Sequence, residues 1–136
     1  MRADEAIRKF HDACRACFMA TCDGDRPRVR PMSPLAVEGH VVWMATWAAS
    51  DKMAQLAANP RVELCYMDAD HNHLRLRGRA EVCDDPAARR RMWDAYPLMH
   101  DYFQGPDDPQ YVLLRFTTEE AMRMASMSRR YEPLEV

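Results

Sequence analysis

Ser50 and Lys52 open a short helical pattern in "TWAASDKMAQLAANP" (Thr46–Pro60), and Asn59-Pro60 stops it about two turns later. A helix start offers unpaired backbone N–H groups and a partial positive charge. A hydroxyl and an ammonium placed there suit a phosphate-like anion. The same residues also admit a plainer role, with Ser50 as a cap and Lys52 as a solvated lysine, and Asp51 between them would repel an anion. The strand-like stretch "RVRPM" upstream changes the balance. Arg28 and Arg30 alternate there on one face, in a segment that pairs with the strand leading into Thr46. A guanidinium on that face can reach an anion held at the helix start, and its fork suits phosphate geometry.

Other chemistry-bearing groups have weaker arrangements. His11, Cys14, Cys17 and Cys22 have the soft-ligand character of a metal site. Cys17 and Cys22, however, fall at opposite ends of one strand, about 16 Å apart at 3.3 Å per residue. His71 and His73 lie in a polar hairpin turn and read as solvated groups. No Ser-His-Asp set, paired carboxylates or Gly-rich nucleotide loop has a convincing setting, so no catalytic residue and no metal ligand is assigned. The five cysteines are odd in number and unevenly spaced, which points to reduced thiols rather than a disulfide framework. Eleven methionines point to a pliable interior.

The elements that must position these residues follow from patterning. Residues 3–14 place Ala6, Phe10 and Ala13 at helical spacing. Turn signals at Asp23-Gly24-Asp25 and Glu38-Gly39 divide the next stretch into strands near 16–22, 26–37 and 40–46. Pro27, Pro31 and Pro34 make the second of these irregular. After the helix over 50–58 come "RVELCYMD" and "LRLRGRAEVC", the second alternating Leu74, Leu76 and Gly78 with Arg75, Arg77 and Arg79. Asp84 or Asp85 caps a helix from Pro86 to about Tyr96, with a short helical turn after it. "QYVLLRFTTEEAMRMA" gives one long or broken strand, and residues 127–136 read as a loose tail. About six strands with hairpin-length connections and flanking helices define an α+β class, mainly β: a six-stranded antiparallel barrel or curled sheet.

Composition sets the outer bounds. The 136 residues fit one domain, 1–136, and a formal charge of −2 gives no reason to expect a nucleic-acid partner. No apolar run approaches the roughly 18 residues of a membrane span, and "MRADEAIRKF" lacks the features of a signal peptide. The expected location is cytoplasmic.

The order of motifs carries a family likeness. An arginine-bearing "RPM" strand is followed by an aromatic strand ending in Thr, then S-x-K and a helix. "NPRVELCYMD", "LRGRAEV" and "YFQGPDDPQYVLLRF" complete the series. This order resembles the FMN-binding split barrels of the pyridoxamine 5′-phosphate oxidase-like superfamily, above all the general stress protein 26-like branch, from about Cys17 to Glu120. The resemblance implies that Arg30, Ser50 and Lys52 hold the flavin phosphate. Pro31, Met32 and Ser33 would run beside the ring, with Thr46 near its edge or the ribityl chain. Trp43, Trp47 and Trp93 read chiefly as core or interface anchors, and Trp47, next to the proposed site, is within reach of the flavin. The resemblance also implies a homodimer whose second subunit covers the exposed flank of the flavin.

The sequence departs from the family in three places. Asp51 stands where the pyridoxamine oxidases tend to have a second basic residue. The C-terminal stretch has no histidine for pyridoxal phosphate, and Met122 and Met124 stand where the stress-protein branch often has a tryptophan. The expected function is therefore an FMN-dependent oxidoreductase acting on a small substrate or electron donor, not a typical pyridoxamine 5′-phosphate oxidase. A non-catalytic flavin-binding stress or sensor protein is the rival, and a metal-binding module built on His11 and the early cysteines is the third reading.

Overall fold

The structure is a computed structural model and describes residues 1–136. Helix α1 (Ala3–Ala13) lays Ala3, Ala6, Ile7 and Phe10 into the core, one stripe at helical spacing, while Ala13 lies exposed. Strands β1 (Cys17–Asp23) and β2 (Arg26–Met32) form a hairpin around Gly24, whose φ of +62° suits a residue without Cβ. A second hairpin joins β3 (Ala36–Glu38) to β4 (Val41–Trp47). Helix α2 (Lys52–Ala58) leads into β5 (Arg61–Met67) and β6 (His73–Val82). Helix α3 (Pro86–Ala95) begins with Asp85 accepting a bond from the Ala87 amide, and the 3₁₀ turn Pro97–Asp101 follows it. Strand β7 (Tyr111–Met124) and strand β8 (Glu132–Leu134) complete the chain.

All the pairings between these strands are antiparallel, in the order β2-β1-β5-β6-β7-β4-β3, with β8 on β7. The two end strands, β2 and β3, are consecutive in the chain. The barrel is therefore split between them, beside the start of α2.

Eight strands replace the six expected, for two local reasons. The segment 26–37 breaks at Ser33–Leu35, so that its first part pairs with β1 and its last part with β4. Proline at position 34 has no N–H for a ladder. Within β2, Pro27 and Pro31 are tolerated because the strand has a free edge toward which their missing donors can face. The tail is not loose throughout. Strand β8 pairs Ala121–Arg123 with Glu132–Leu134, and Ala3 donates to the Glu135 carbonyl at 2.8 Å.

The inner face of the sheet and α1 enclose the main core, which includes Met19, Met44, Leu64, Tyr66, Leu76 and Phe116. A satellite cluster of Trp43, Met92, Met99, Phe103 and Tyr111 lies under α3 and the 3₁₀ turn. The β6–β7 ladder carries a bulge: Arg77 faces Glu120 but Gly78 faces Thr118, which leaves Glu119 extra. A Cβ on Gly78 would stand 1.9 Å from the Thr117 carbonyl oxygen, so the close approach of β7 requires glycine there.

Candidate functional site

Strand β2 pairs with β1 and not, as expected, with the strand leading into Thr46, which only the last part of segment 26–37, β3, joins. The alternation of β2 still puts Arg28 and Arg30 on one face, as the spacing predicts, and that face meets α2. There the structure forms a cavity of about 450 Å³ lined by Asp23, Arg28, Val29, Arg30, Asp51, Lys52 and Gln55. Arg28 is tied to Asp23 at 3.0 Å. Arg30 and Lys52 make no ion pair, although both are half-buried. Neutral groups hold them instead. Arg30 donates to Thr21 Oγ1 and Gln55 Oε1, both at 2.8 Å, and to the Met19 carbonyl at 3.3 Å. Lys52 Nζ donates to Thr46 Oγ1 at 2.6 Å and Ser50 Oγ at 3.1 Å.

The electrostatics follow from that arrangement. Burial, and then the Arg30 guanidinium, lower the Lys52 pKa below the ordinary lysine value, while Asp51 pulls it back. Arg30 is lowered by burial and by Arg28, again against Asp51. Two half-buried cations that repel one another and lack a carboxylate partner form a place where an anion is favoured.

The helix start itself contributes less than the sequence suggests. Helix α2 has seven residues, its N-cap position is Asp51, and no side chain caps it. Ser50 lies in the preceding turn and donates its hydroxyl to the Trp47 carbonyl at 2.8 Å. Side chains, rather than the helix dipole, build the site.

A second cavity of about 280 Å³ is linked to the first by the bond from Lys52, which lines the first, to Thr46, which lines the second. It is lined by Pro31, Met32, Ser33, Thr46 and Trp47 together with Leu35, Ala45, Leu98, Met99, Tyr102 and Phe103. No charged side chain faces it. Thr46 is only 5% exposed, and its hydroxyl is the partner of Lys52 behind the cavity wall. Trp47 remains 45% exposed and packs on Phe103 at 4.7 Å and on Tyr102 at 6.5 Å between ring centroids. Arg89 steadies this aromatic wall: it stacks 4.3 Å over Tyr111 and donates to the carbonyls of Pro106 at 2.9 Å and Tyr111 at 2.7 Å.

All eight residues proposed from sequence thus lie at one place. Arg30 and Lys52 line the cationic cavity, Ser50 stands behind Lys52, and Pro31, Met32, Ser33, Thr46 and Trp47 line the uncharged one. Met122 and Met124 line neither. Thr46 pairs with Val112, ten residues before Met122 on β7, which is about 33 Å along a strand. Sequence reasoning missed Gln55 and the wall from the 3₁₀ turn. Gln55 was accessible, since it follows Lys52 by three residues and so shares its helix face.

Other constellations stay apart. No three His, Cys, Asp or Glu side chains gather as metal ligands would, and His73 meets the Tyr131 hydroxyl at 2.9 Å. A larger concavity of about 500 Å³ lies against the β1–β2 turn, where Arg77 is already matched by Glu63 at 3.2 Å and Glu120 at 3.4 Å. No helix is long and apolar enough to cross a membrane.

An open antiparallel barrel with flanking helices, split where β2 and β3 part, defines the class of this protein as a split barrel. Residues 3–124 match the pyridoxamine 5′-phosphate oxidase family, and the chain belongs to that family. Among solved structures it is similar to a Clostridium acetobutylicum protein related to general stress protein 26 of B. subtilis. They share 20% identity and a TM-score of 0.84, over 97% of this chain and 93% of that one. It is similar to a heme binding protein from Mycobacterium smegmatis at 16% identity and a TM-score of 0.80, over 99% of this chain and 58% of that one. It is also similar to a pyridoxamine 5′-phosphate oxidase-related, FMN binding protein from Nostoc punctiforme. The values there are 17% identity and a TM-score of 0.77, over 95% of this chain and 86% of that one. At these identities the likeness is one of fold. No curated protein matches the sequence.

Proposed function

We propose that residues 1–136 form one FMN-binding domain, and that the protein is a flavoprotein oxidoreductase. The observation that carries this reading is the Lys52–Thr46 bond, which links a cavity with two unpaired cations to a cavity with no charge. FMN has that same division, a phosphate at one end and a flat, uncharged tricycle at the other. Arg30 and Lys52 hold the phosphate, and Thr46 and Ser50 hold Lys52. Pro31, Met32, Ser33 and Trp47 lie along the ring. Bound FMN supplies hydride and electron transfer, and the chain supplies position and electrostatics.

Support for a homodimer comes from distance. The family resemblance puts the stretch of Met122 and Met124 against the flavin, yet within one chain it lies ten residues, up to about 33 Å of strand, beyond Val112, the partner of Thr46. A second copy reconciles the two. A small substrate or electron donor reaches the ring from the open side, and the site offers no reason for a nucleic-acid or membrane partner. The cytoplasm is the proposed location.

One observation favours a non-catalytic flavin-binding stress or sensor protein instead. Among the residues of the uncharged cavity only Tyr102 has a titratable side chain.

The test is titration of the purified protein with FMN, with the absorption spectrum separating flavin from haem or a deazaflavin. Anaerobic reduction by NADH or NADPH and reoxidation by small acceptors follows. A protein that takes up no FMN refutes the binding reading. A bound flavin that neither nicotinamide reduces, and that no acceptor reoxidises faster than free FMN, refutes the enzyme and leaves the binding protein.

A further inference from the structure

Gln55 has no assigned role, yet it occupies the centre of the cationic cavity's hydrogen bonding. Its Oε1 accepts from Thr21 Oγ1 at 2.6 Å and from Arg30 Nη2 at 2.8 Å, while Arg30 Nη1 donates to the same Thr21 oxygen at 2.8 Å. The three side chains close a ring. Its polarity is fixed, because a guanidinium can only donate; the glutamine atom that meets it must be the carbonyl oxygen. The Gln55 amide nitrogen therefore points away from Arg30 and Thr21. It has no partner within the protein, and Gln55 lines the cavity beside Lys52.

Ser50 is differently placed. Its single hydroxyl proton goes to the Trp47 carbonyl at 2.8 Å, and its oxygen takes a bond from Lys52 at 3.1 Å. No proton remains for an anion while those bonds hold.

We infer that Gln55, and not Ser50, is the neutral hydrogen-bond donor to the phosphate group held by Arg30 and Lys52. Ser50 acts one step back, by positioning Lys52. This inference rests on the reading of the cavity as a phosphate site. The choice of residue type has a reason. A glutamate at position 55 would accept equally well from Arg30 and Thr21, but it would neutralise the guanidinium that the anion needs. An amide orients Arg30 and leaves its charge available.

The experiment uses the full chain with Gln55→Ala, Gln55→Glu and Ser50→Ala, titrated with FMN and with riboflavin, and with inorganic phosphate as competitor. Gln55→Glu keeps both accepted bonds but adds a charge that opposes the anion, so undiminished FMN binding by it refutes the donor. Gln55→Ala, which adds no charge, is the variant whose loss reports the donor, with urea unfolding to check that it folds. Loss of a donor to a charged acceptor predicts FMN binding weaker by about tenfold or more in both Gln55 variants. Riboflavin binding stays within about twofold, and Ser50→Ala costs less than either. The inference is overturned if the Gln55 variants keep the wild-type ratio of FMN to riboflavin affinity, or if Ser50→Ala costs more. A wild-type protein that does not distinguish FMN from riboflavin, and whose flavin phosphate does not compete with inorganic phosphate, overturns the phosphate reading itself.

Discussion

Replacing Lys52 by methionine tests the anion site most directly, because the side chain's length is kept and only its charge and donors are lost. The ammonium has three N–H groups. Two are engaged, by Thr46 Oγ1 at 2.6 Å and Ser50 Oγ at 3.1 Å, which leaves one aimed by those bonds for an anion. A hydrogen bond to a charged partner contributes about 1.5–3 kcal/mol. At about 2 kcal/mol the variant should bind FMN about 30-fold more weakly. Riboflavin, which lacks the phosphate, should change by no more than about twofold. The free protein should not suffer in proportion. The variant relieves the burial of a cation and its repulsion with Arg30, and the Thr46 hydroxyl still has Ser50 at 3.5 Å. Its stability should stay within about 0.5 kcal/mol of wild type. Flavin fluorescence titration and urea unfolding measure the two quantities. Equal losses for FMN and riboflavin, or none for FMN, would refute the placement of the phosphate at Lys52.

The same lysine gives a pH dependence. Its pKa in the free protein lies below the usual value, and a phosphate alongside raises it again, so FMN affinity should fall as pH rises through the lowered pKa while riboflavin affinity stays flat. For the free chain the sign is opposite. The unfolded state binds more protons between the lowered pKa and about 10.4, so Lys52 contributes a rise in stability with pH across that window, visible as the difference from Lys52→Met in urea melts. Gly78→Ala should cost about 3 kcal/mol and about 10 °C in melting temperature, because the new Cβ would sit 1.9 Å from backbone oxygen. Gly105→Ala, with nothing within 4 Å, should stay close to wild type, and similar melting curves for the two would contradict the bulge argument. Light scattering at low concentration should give about twice 15.8 kDa; a monomer that holds FMN tightly would refute the dimer.

Much of the site was legible because it is local. The alternation in "RVRPM" fixes the face of Arg28 and Arg30, and Asn59-Pro60 marks the end of the helix that carries Lys52. The turn signals at Gly24 and Gly39 likewise mark both hairpins. What the sequence hid is set by long-range packing. The 3₁₀ turn that carries Leu98 and Met99 has no strong pattern of its own, and it reaches the uncharged cavity because Arg89 and Tyr111 hold its neighbouring loop from 22 residues apart. Ser50 looked like a helix cap by type, but the helix begins two residues later and its hydroxyl turns back to Trp47. The split of 26–37 depends on which partner each half finds, Cys17 for Met32 and Trp43 for Ala36, and no local signal states that.

The prolines of β2 bear on how the protein keeps its own opening clear. In an antiparallel pair alternate residues point their N–H groups toward the partner and away from it. Pro27, Val29 and Pro31 share the parity that faces away from β1, so two of the three donors along that rim are absent. The three outward carbonyls remain, so a strand docking on this rim, β3 or one from another molecule, could form at most four of six ladder bonds there and is disfavoured. Closing the cleft would gain only a weakened ladder, and the same missing donors discourage edge-on aggregation.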